Sequence, residues 1–118
     1  MAGTLTISTL SDGTNSTSAT NCIQGSAKAW VNLNGSTGAV RTSYNVSSVT
    51  RTGTGTYTVT FTNAFVDANY AVSLGTINWG LDLNIANANT TTTMYLVNFN
   101  TTTGNNTDST VVCASVFR

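Results

Sequence analysis

The sequence contains no histidine, no glutamate and no proline, and charged side chains make up only 7% of its 118 residues. General acid–base catalysis most often uses histidine or glutamate, and zinc sites are built mainly from histidine and cysteine. The four aspartates lie far apart along the chain, so no pair of carboxylates is predicted. These absences predict a protein that is not an enzyme and has no catalytic residue, metal site or cofactor.

The few charged residues are dispersed and sum to a net charge of zero. Phosphate recognition needs a basic stripe, so a nucleic-acid partner is not expected. No apolar run approaches the length of a membrane span, and the first residues lack the basic and apolar segments of a signal peptide. A surface with so little charge suits a protein that works inside an assembly.

The two cysteines, Cys22 and Cys113, stand far apart in the sequence. Their spacing specifies neither a metal site nor a redox pair. Two buried, unpaired thiols are the favoured interpretation, because free cysteine is among the most buried residue types. A disulfide that ties the two ends of the chain together is the alternative.

Apolar residues alternate with threonine, serine and asparagine along much of the chain. Threonine is β-branched and suits a pleated sheet, so this period of two predicts strands. The clearest segment is Thr56–Thr62, where Tyr57, Val59 and Phe61 are predicted to face the core. Further strands are predicted over 4–10, 27–34, 39–50, 70–77, 94–99 and 111–117.

The predicted inward faces follow from the same alternation. Residues 27–34 place Ala27, Ala29, Val31 and Leu33 inward, and the strand at 70–77 places Tyr70, Val72 and Leu74 inward. The remaining predicted inward residues are Val40, Thr42, Tyr44, Val46, Tyr95, Val97 and Phe99. The pattern predicts one all-β domain over residues 1–118, an antiparallel β-sandwich of jelly-roll or lectin-like type with about seven or eight strands. A short N-terminal strand or arm is expected over about residues 1–23.

Two polar segments, 84–93 and 100–109, are longer than tight hairpins require. Their amides and hydroxyls match the hydrogen-bonding groups of a sugar, and binding residues concentrate on such loops. The predicted ligand-binding residues are Trp79, Asn89, Asn100 and Asn105; the alternative is that these loops are solvated connections or subunit contacts. Trp30 is predicted to lie in an oligomer interface, where tryptophan is enriched, with sugar stacking as its alternative.

Several motifs occur together and in order: Lys-Ala-Trp-Val-Asn-Leu-Asn-Gly at 28–35, Tyr-Asn-Val-Ser-Ser-Val at 44–49, Gly-Thr-Tyr-Thr-Val-Thr-Phe at 55–61 and Asp-Ala-Asn-Tyr-Ala-Val at 67–72. Together they resemble β-sandwich modules of tail-fibre and other virion proteins of tailed bacteriophages, notably phages of cyanobacteria and marine bacteria. The resemblance covers roughly residues 24–76, and residues 77–118 match no known pattern.

This resemblance implies a trimeric, non-catalytic module on the particle surface, assembled in the host cytoplasm. Tail fibres carry a long shaft before the tip, whereas this sequence enters the module directly and has no heptads. A capsid decoration protein is therefore expected, with itself and other phage capsid or tail proteins as partners and host-surface polysaccharide as a further ligand. The alternatives are a tail-fibre tip that acts as a receptor-binding adhesin, or a free carbohydrate-binding, lectin-like module.

Overall fold

The computed structural model describes residues 2–84 and 86–118. Met1 in the predicted arm and Ile85 in the predicted loop 84–93 lie outside the described residues. The N-terminal part forms an antiparallel pair of short strands and one helix, and eight further strands follow. The elements are β1 (Thr9–Ser11), β2 (Ser16–Ser18), α1 (Ala19–Gly25), β3 (Ala29–Leu33), β4 (Val40–Tyr44), β5 (Val46–Gly53), β6 (Thr56–Phe61), β7 (Ala71–Thr76), β8 (Gly80–Leu83), β9 (Thr93–Phe99) and β10 (Val112–Phe117).

The eight later strands form two four-stranded sheets that pack face to face. The first sheet has the order β4-β3-β10-β7 and the second has the order β5-β6-β9-β8. Neighbouring strands in both sheets are antiparallel. The predicted all-β antiparallel sandwich is confirmed.

The core lies between the two sheets. It is built from the apolar residues that alternate with threonine or other polar residues along the strands. Tyr57, Val59 and Phe61 are buried on β6, as predicted. The predicted inward residues of β3 are buried too, and they meet the apolar face of β10. These two strands of the first sheet contribute Ala29, Val31, Leu33, Val112, Ala114 and Val116.

Strand β9 faces the opposite way from the prediction. Met94, Leu96 and Asn98 are buried, whereas Tyr95, Val97 and Phe99, predicted to point inward, are half-buried on the outer face of the second sheet. Both faces of this strand are largely apolar, so alternation alone did not distinguish them. Asn98 is the polar residue of this inner face: its Oδ1 lies 3.5 Å from the Thr76 hydroxyl, and its buried Nδ2 has no hydrogen-bond partner among the described residues.

Residues 39–50 do not form one strand. The chain passes from β4 in the first sheet to β5 in the second through Asn45, which has a φ of 53°. Asparagine tolerates this left-handed conformation, and the Asn45 Oδ1 accepts a hydrogen bond of 2.8 Å from the backbone N–H of Asn63. The switch turns Val40, Thr42 and Tyr44 outward, so their predicted inward position is wrong. Val46 packs against the core.

The N-terminal arm, residues 2–25, also differs from the prediction. Of the strand predicted over 4–10, only its last residues belong to β1, and a helix follows where none was expected. Ser18 caps this helix by accepting a hydrogen bond from the backbone N–H of Asn21, and the Lys28 ammonium donates to the carbonyls of Ile23 and Ser26 at its other end. A cation at this end is favoured by the helix dipole.

The cysteines are unpaired, as the favoured interpretation expected, but Cys22 is exposed on α1 and Cys113 is only half-buried on β10. The prediction that both thiols are buried is therefore wrong for Cys22. The arm around Cys22 does not enter the core, since every buried core residue lies between 29 and 116. No helix in the described ranges is long and apolar enough to cross a membrane.

Candidate functional site

A groove of about 410 Å³ opens on the outer face of the second sheet, between the two polar loops. Its volume falls within the range of ligand pockets, about 300–1,000 Å³. Strands β8 and β9 form its floor, and residues of the loops that follow them form its walls. We call it the loop groove, and it is lined by Asp82, Leu83, Asn84, Ala86, Val97, Phe99, Gly104 and Asn106.

An aromatic ring and a carboxylate lie side by side in this groove. Phe99 on β9 stands opposite Gly80 on β8, and Val97 stands opposite Asp82. A Cβ atom at position 80 would come within 2.6 Å and 2.8 Å of carbons of the Phe99 ring. The ring therefore lies across the backbone of Gly80, in space that any other residue would occupy, and Asp82 follows on the same face.

Asp82 differs from the other aspartates in its surroundings. Its Oδ1 accepts a hydrogen bond of 2.8 Å from the backbone N–H of Leu83, and no Lys or Arg of the described residues forms an ion pair with it. Two of the other aspartates are paired with arginines, and the third caps a turn. Those partners are Arg118 for Asp67, Arg51 for Asp108, and the backbone N–H groups of Thr14 and Asn15 for Asp12.

The remaining cations are also engaged inside the chain. Arg41 donates to the carbonyls of Leu33 and Thr110, and Lys28 donates to carbonyls at the end of α1. Each of the four cationic side chains thus has a partner within its own chain. Asp82 is the acidic residue in the lining of the groove, and the lining contains no Lys or Arg.

A polar cluster holds the second loop against the sandwich. Asp108 accepts hydrogen bonds from Arg51, at 2.6 Å and 3.2 Å, and one of 2.8 Å from the backbone N–H of Gly55. The hydrogen bonds from Arg51 are the main reason why the pKa of Asp108 lies below its usual value of 3.8. Burial, together with the nearby negative charge of Asp108, raises the pKa of Tyr57 to about 12. The hydrogen bonds of Asp108 anchor the second loop, which forms one wall of the groove, to β5 and to the turn before β6.

The four predicted ligand-binding residues lie in two separate parts of the molecule. Trp79, 37% exposed, precedes Gly80 and lies at the same end of the sandwich as Asn100 and Asn105. Asn89 lies elsewhere, because its Oδ1 accepts a hydrogen bond from the backbone N–H of Tyr95. At about 3.3 Å per residue, Tyr95 is about 16 Å along β9 from Asn100.

Two of these asparagines use their side chains to shape the loops. The Asn100 Oδ1 accepts hydrogen bonds from the backbone N–H groups of Thr102 and Thr103, at 2.8 Å and 3.1 Å. Asn89 uses its Oδ1 in the same way, as a link to β9. Neither residue lines the loop groove, nor do Trp79 and Asn105.

Half of the lining residues lie on the predicted loops 84–93 and 100–109, whereas those on β8 and β9 were not predicted. β8 is only four residues long and was not predicted, so Asp82 had no predicted neighbours. Phe99 was expected inside the core. The pairing register of β8 with β9 brings these residues together, and no sequence pattern specifies that register.

Trp30 lies on the outer face of the first sheet, away from the loop groove. It is half-buried and stands opposite Tyr44 on β4 and Ser115 on β10. Tyr44 is 58% exposed. Trp30 and Tyr44 are thus cross-strand neighbours on this outer face, and tryptophan and tyrosine are enriched in contacts between proteins.

The arm carries a second group of exposed apolar side chains. Four large aliphatic side chains, which we call the arm face, are exposed by 41–82%; they are Leu5, Ile7, Leu10 and Ile23. They line a cleft of about 380 Å³ together with Thr6, Ala19 and Cys22. The accessible surface of 7014 Å² exceeds the roughly 6,100 Å² of a compact protein of this mass.

The dimensions of the molecule agree with an extended arm. Its radius of gyration is 16.7 Å, against about 13.5 Å for a compact domain of this length.

Within residues 2–84 and 86–118, no three cysteine or aspartate side chains are grouped so that they could hold a metal ion. Comparisons of the chain with protein-family models, with curated proteins and with solved structures find no match.

Proposed function

We propose that this protein is a non-enzymatic structural module of a tailed-bacteriophage particle, an oligomeric decoration protein on the capsid surface. The observation that carries the proposal is the arm face, a set of large aliphatic side chains on an arm that stands apart from the core. Contiguous exposed apolar surface of this kind marks sites of contact with other proteins. The motifs at 28–35 and 55–72 supply the link to virion modules.

The charge distribution supports assembly over recognition of a charged partner. The cations are engaged within the chain, so contact with another protein must rely on apolar area and hydrogen bonds. In the proposed arrangement, the arm face binds another capsid protein, and Trp30 with Tyr44 joins three copies of this chain. The particle assembles in the host cytoplasm, where both thiols stay reduced.

Binding to virions tests the role of the arm face. We expect the double variant Leu5→Asp, Ile23→Asp to lose at least about ten-fold in the fraction that co-sediments with particles, because two charges would enter an apolar contact. A matched control, Thr20→Asp with Gln24→Asp, adds the same charges to the same arm outside the cleft. Equal binding of the two double variants, or no binding of the parent protein, would overturn the proposal. Immunogold electron microscopy then distinguishes a capsid position from a tail position.

Light scattering tests the trimer. The parent protein should show three times the monomer mass of 12.3 kDa at micromolar concentration. Tyr44→Ser should shift the mass towards the monomer, because it removes most of an exposed ring from the contact, whereas Thr42→Ser on the same outer face should not. A monomeric parent protein would contradict this part of the proposal.

A free carbohydrate-binding, lectin-like module is the second candidate, and the loop groove is the observation that favours it. A tail-fibre tip that acts as an adhesin would also bind carbohydrate through this groove. Either role requires that the isolated protein binds host cells in the absence of particles. A decoration protein requires only that it binds the particle, so the two assays separate these functions.

A further inference from the structure

The loop groove has features that assembly does not require, and we infer that it binds a neutral sugar ring, with Phe99 as the stacking surface and Asp82 as the acceptor of sugar hydroxyls. This property goes beyond the assembly role proposed above and does not depend on it. The inference rests on three features of the groove: the placement of the ring, the free carboxylate and the rigidity of the walls.

Phe99 is placed as a stacking surface. Its side chain is half-buried on the outer face of the second sheet, and its ring is held across Gly80. A sugar ring has one face of C–H groups, and packing that face on an aromatic ring removes apolar area from water. A side chain at position 80 would displace the ring, so this glycine has a specific role in the groove.

Asp82 supplies the polar part of the site. An ionised carboxylate only accepts hydrogen bonds, and hydroxyl groups are strong donors to it. The Oδ2 atom of Asp82 accepts no hydrogen bond from the described residues, and its Oδ1 accepts one, from Leu83. Asn84 and Asn106 add amides to the lining, which can donate to sugar oxygens.

Other ligand classes fit this lining less well. A calcium ion takes six to eight oxygen ligands, and the side chains that line the groove offer only one carboxylate and two amides. A phosphate or another anion would face the charge of Asp82 with no cation in the lining. A neutral ring with hydroxyl groups on its edge and C–H groups on one face matches both parts of the groove.

The floor of the groove and the wall formed by the second loop are preorganised. The floor is the hydrogen-bonded pair of β8 and β9, and Asp108 anchors the second loop to Arg51 and Gly55. A site that is already formed loses less conformational freedom when a ligand binds.

Amide chemical shifts of the isotope-labelled protein provide the test. We expect methyl glycosides of glucose, galactose, mannose and N-acetylglucosamine, titrated one by one, to include at least one that shifts the amides of residues 80–84, 97–99 and 104–106. For that glycoside, Asp82→Asn should weaken binding by about ten-fold or more, because charge-assisted hydrogen bonds are about twice as strong as neutral ones. Phe99→Leu should weaken it as well, since the stacking surface is lost while apolar volume remains.

The matched control is Asp12→Asn, which makes the same change of charge on the exposed arm and should bind as the parent does. The inference is wrong if none of the four glycosides shifts these amides, if the shifts lie elsewhere, or if Asp82→Asn binds as tightly as the parent. The inference would also be overturned if a lysine peptide, and none of the glycosides, bound to the groove and its binding weakened with added salt. None of these results bears on co-sedimentation with particles, so failure here is distinct from failure of the assembly role.

Discussion

Single charged residues act mainly inside this molecule. Arg51 and Asp108 join β5 to the loop before β10, and Arg118 and Asp67 join the last residue to the segment before β7. Exposed ion pairs contribute little to stability, but Asp108 also accepts a hydrogen bond from the backbone of Gly55. Its carboxylate therefore satisfies a backbone donor as well as a cation, and it has more effect than an ordinary surface pair.

This role predicts a specific dependence of stability on pH. The hydrogen bonds from Arg51 hold the pKa of Asp108 below 3.8 in the folded state, so its contribution is fully present above that pH and is lost as pH falls through the folded-state value. Asp108→Ala should lower the free energy of unfolding at neutral pH by about 1–3 kcal/mol and reduce the acid dependence. Urea unfolding at several pH values measures both effects. Asp82→Ala, which removes a carboxyl group without an ion-pair partner among the described residues, is the control; an equal loss in both variants would contradict the prediction.

At the scale of strands, the sequence predicts which face of a strand enters the core only where the opposite face is polar. Threonine alternates with Tyr57, Val59 and Phe61 on β6, so only one face can enter the core. β9 is apolar on both sides, and its orientation depends on how it pairs with β6 and β8. The alternation at 39–50 continues through Asn45, so the change of sheet is visible only in the backbone conformation.

The loop groove could not be predicted from the sequence for the same reason. Residues of β8 and β9 face one another only once the register is known, and the sequence between them gives no sign of it. The two loops were predicted from their length and polarity, which need no knowledge of pairing. Two of the asparagines predicted to bind a ligand, Asn89 and Asn100, also shape the loops, as Asn100 does with Thr102 and Thr103.

Two neighbouring residues of β9 provide a direct test of its orientation. Leu96 is fully buried between the sheets, so Leu96→Ala should lower the free energy of unfolding by about 2–5 kcal/mol. Val97 is only half-buried on the outer face, so Val97→Ala should cost less than about 1 kcal/mol. Denaturant unfolding of the two variants gives the comparison. A larger loss for Val97→Ala would show that the strand faces the other way.

At the scale of the whole molecule, the chain combines a closed sandwich with an open arm. The sandwich has its own core, made entirely of residues between 29 and 116. The arm has a cap, a short hairpin and an apolar cleft, but none of its residues belongs to the buried core. Such an arm gains little stabilisation from its own chain, and in the proposed assembly role a partner covers its apolar side chains.

Removing the arm tests this division. A chain of residues 26–118 should fold to the same sandwich, with a midpoint of thermal unfolding within about 5 °C of the parent, because no core contact is lost. It should also bind less of a hydrophobic fluorescent dye, since Leu5, Ile7, Leu10 and Ile23 are absent. Calorimetry and dye fluorescence measure the two effects, and the full-length variant Thr20→Asp is the control for changes on the arm that spare the cleft. If the shortened chain melts far below the parent or binds more dye, the arm covers part of the sandwich in solution, and the arm face is not a free surface for assembly.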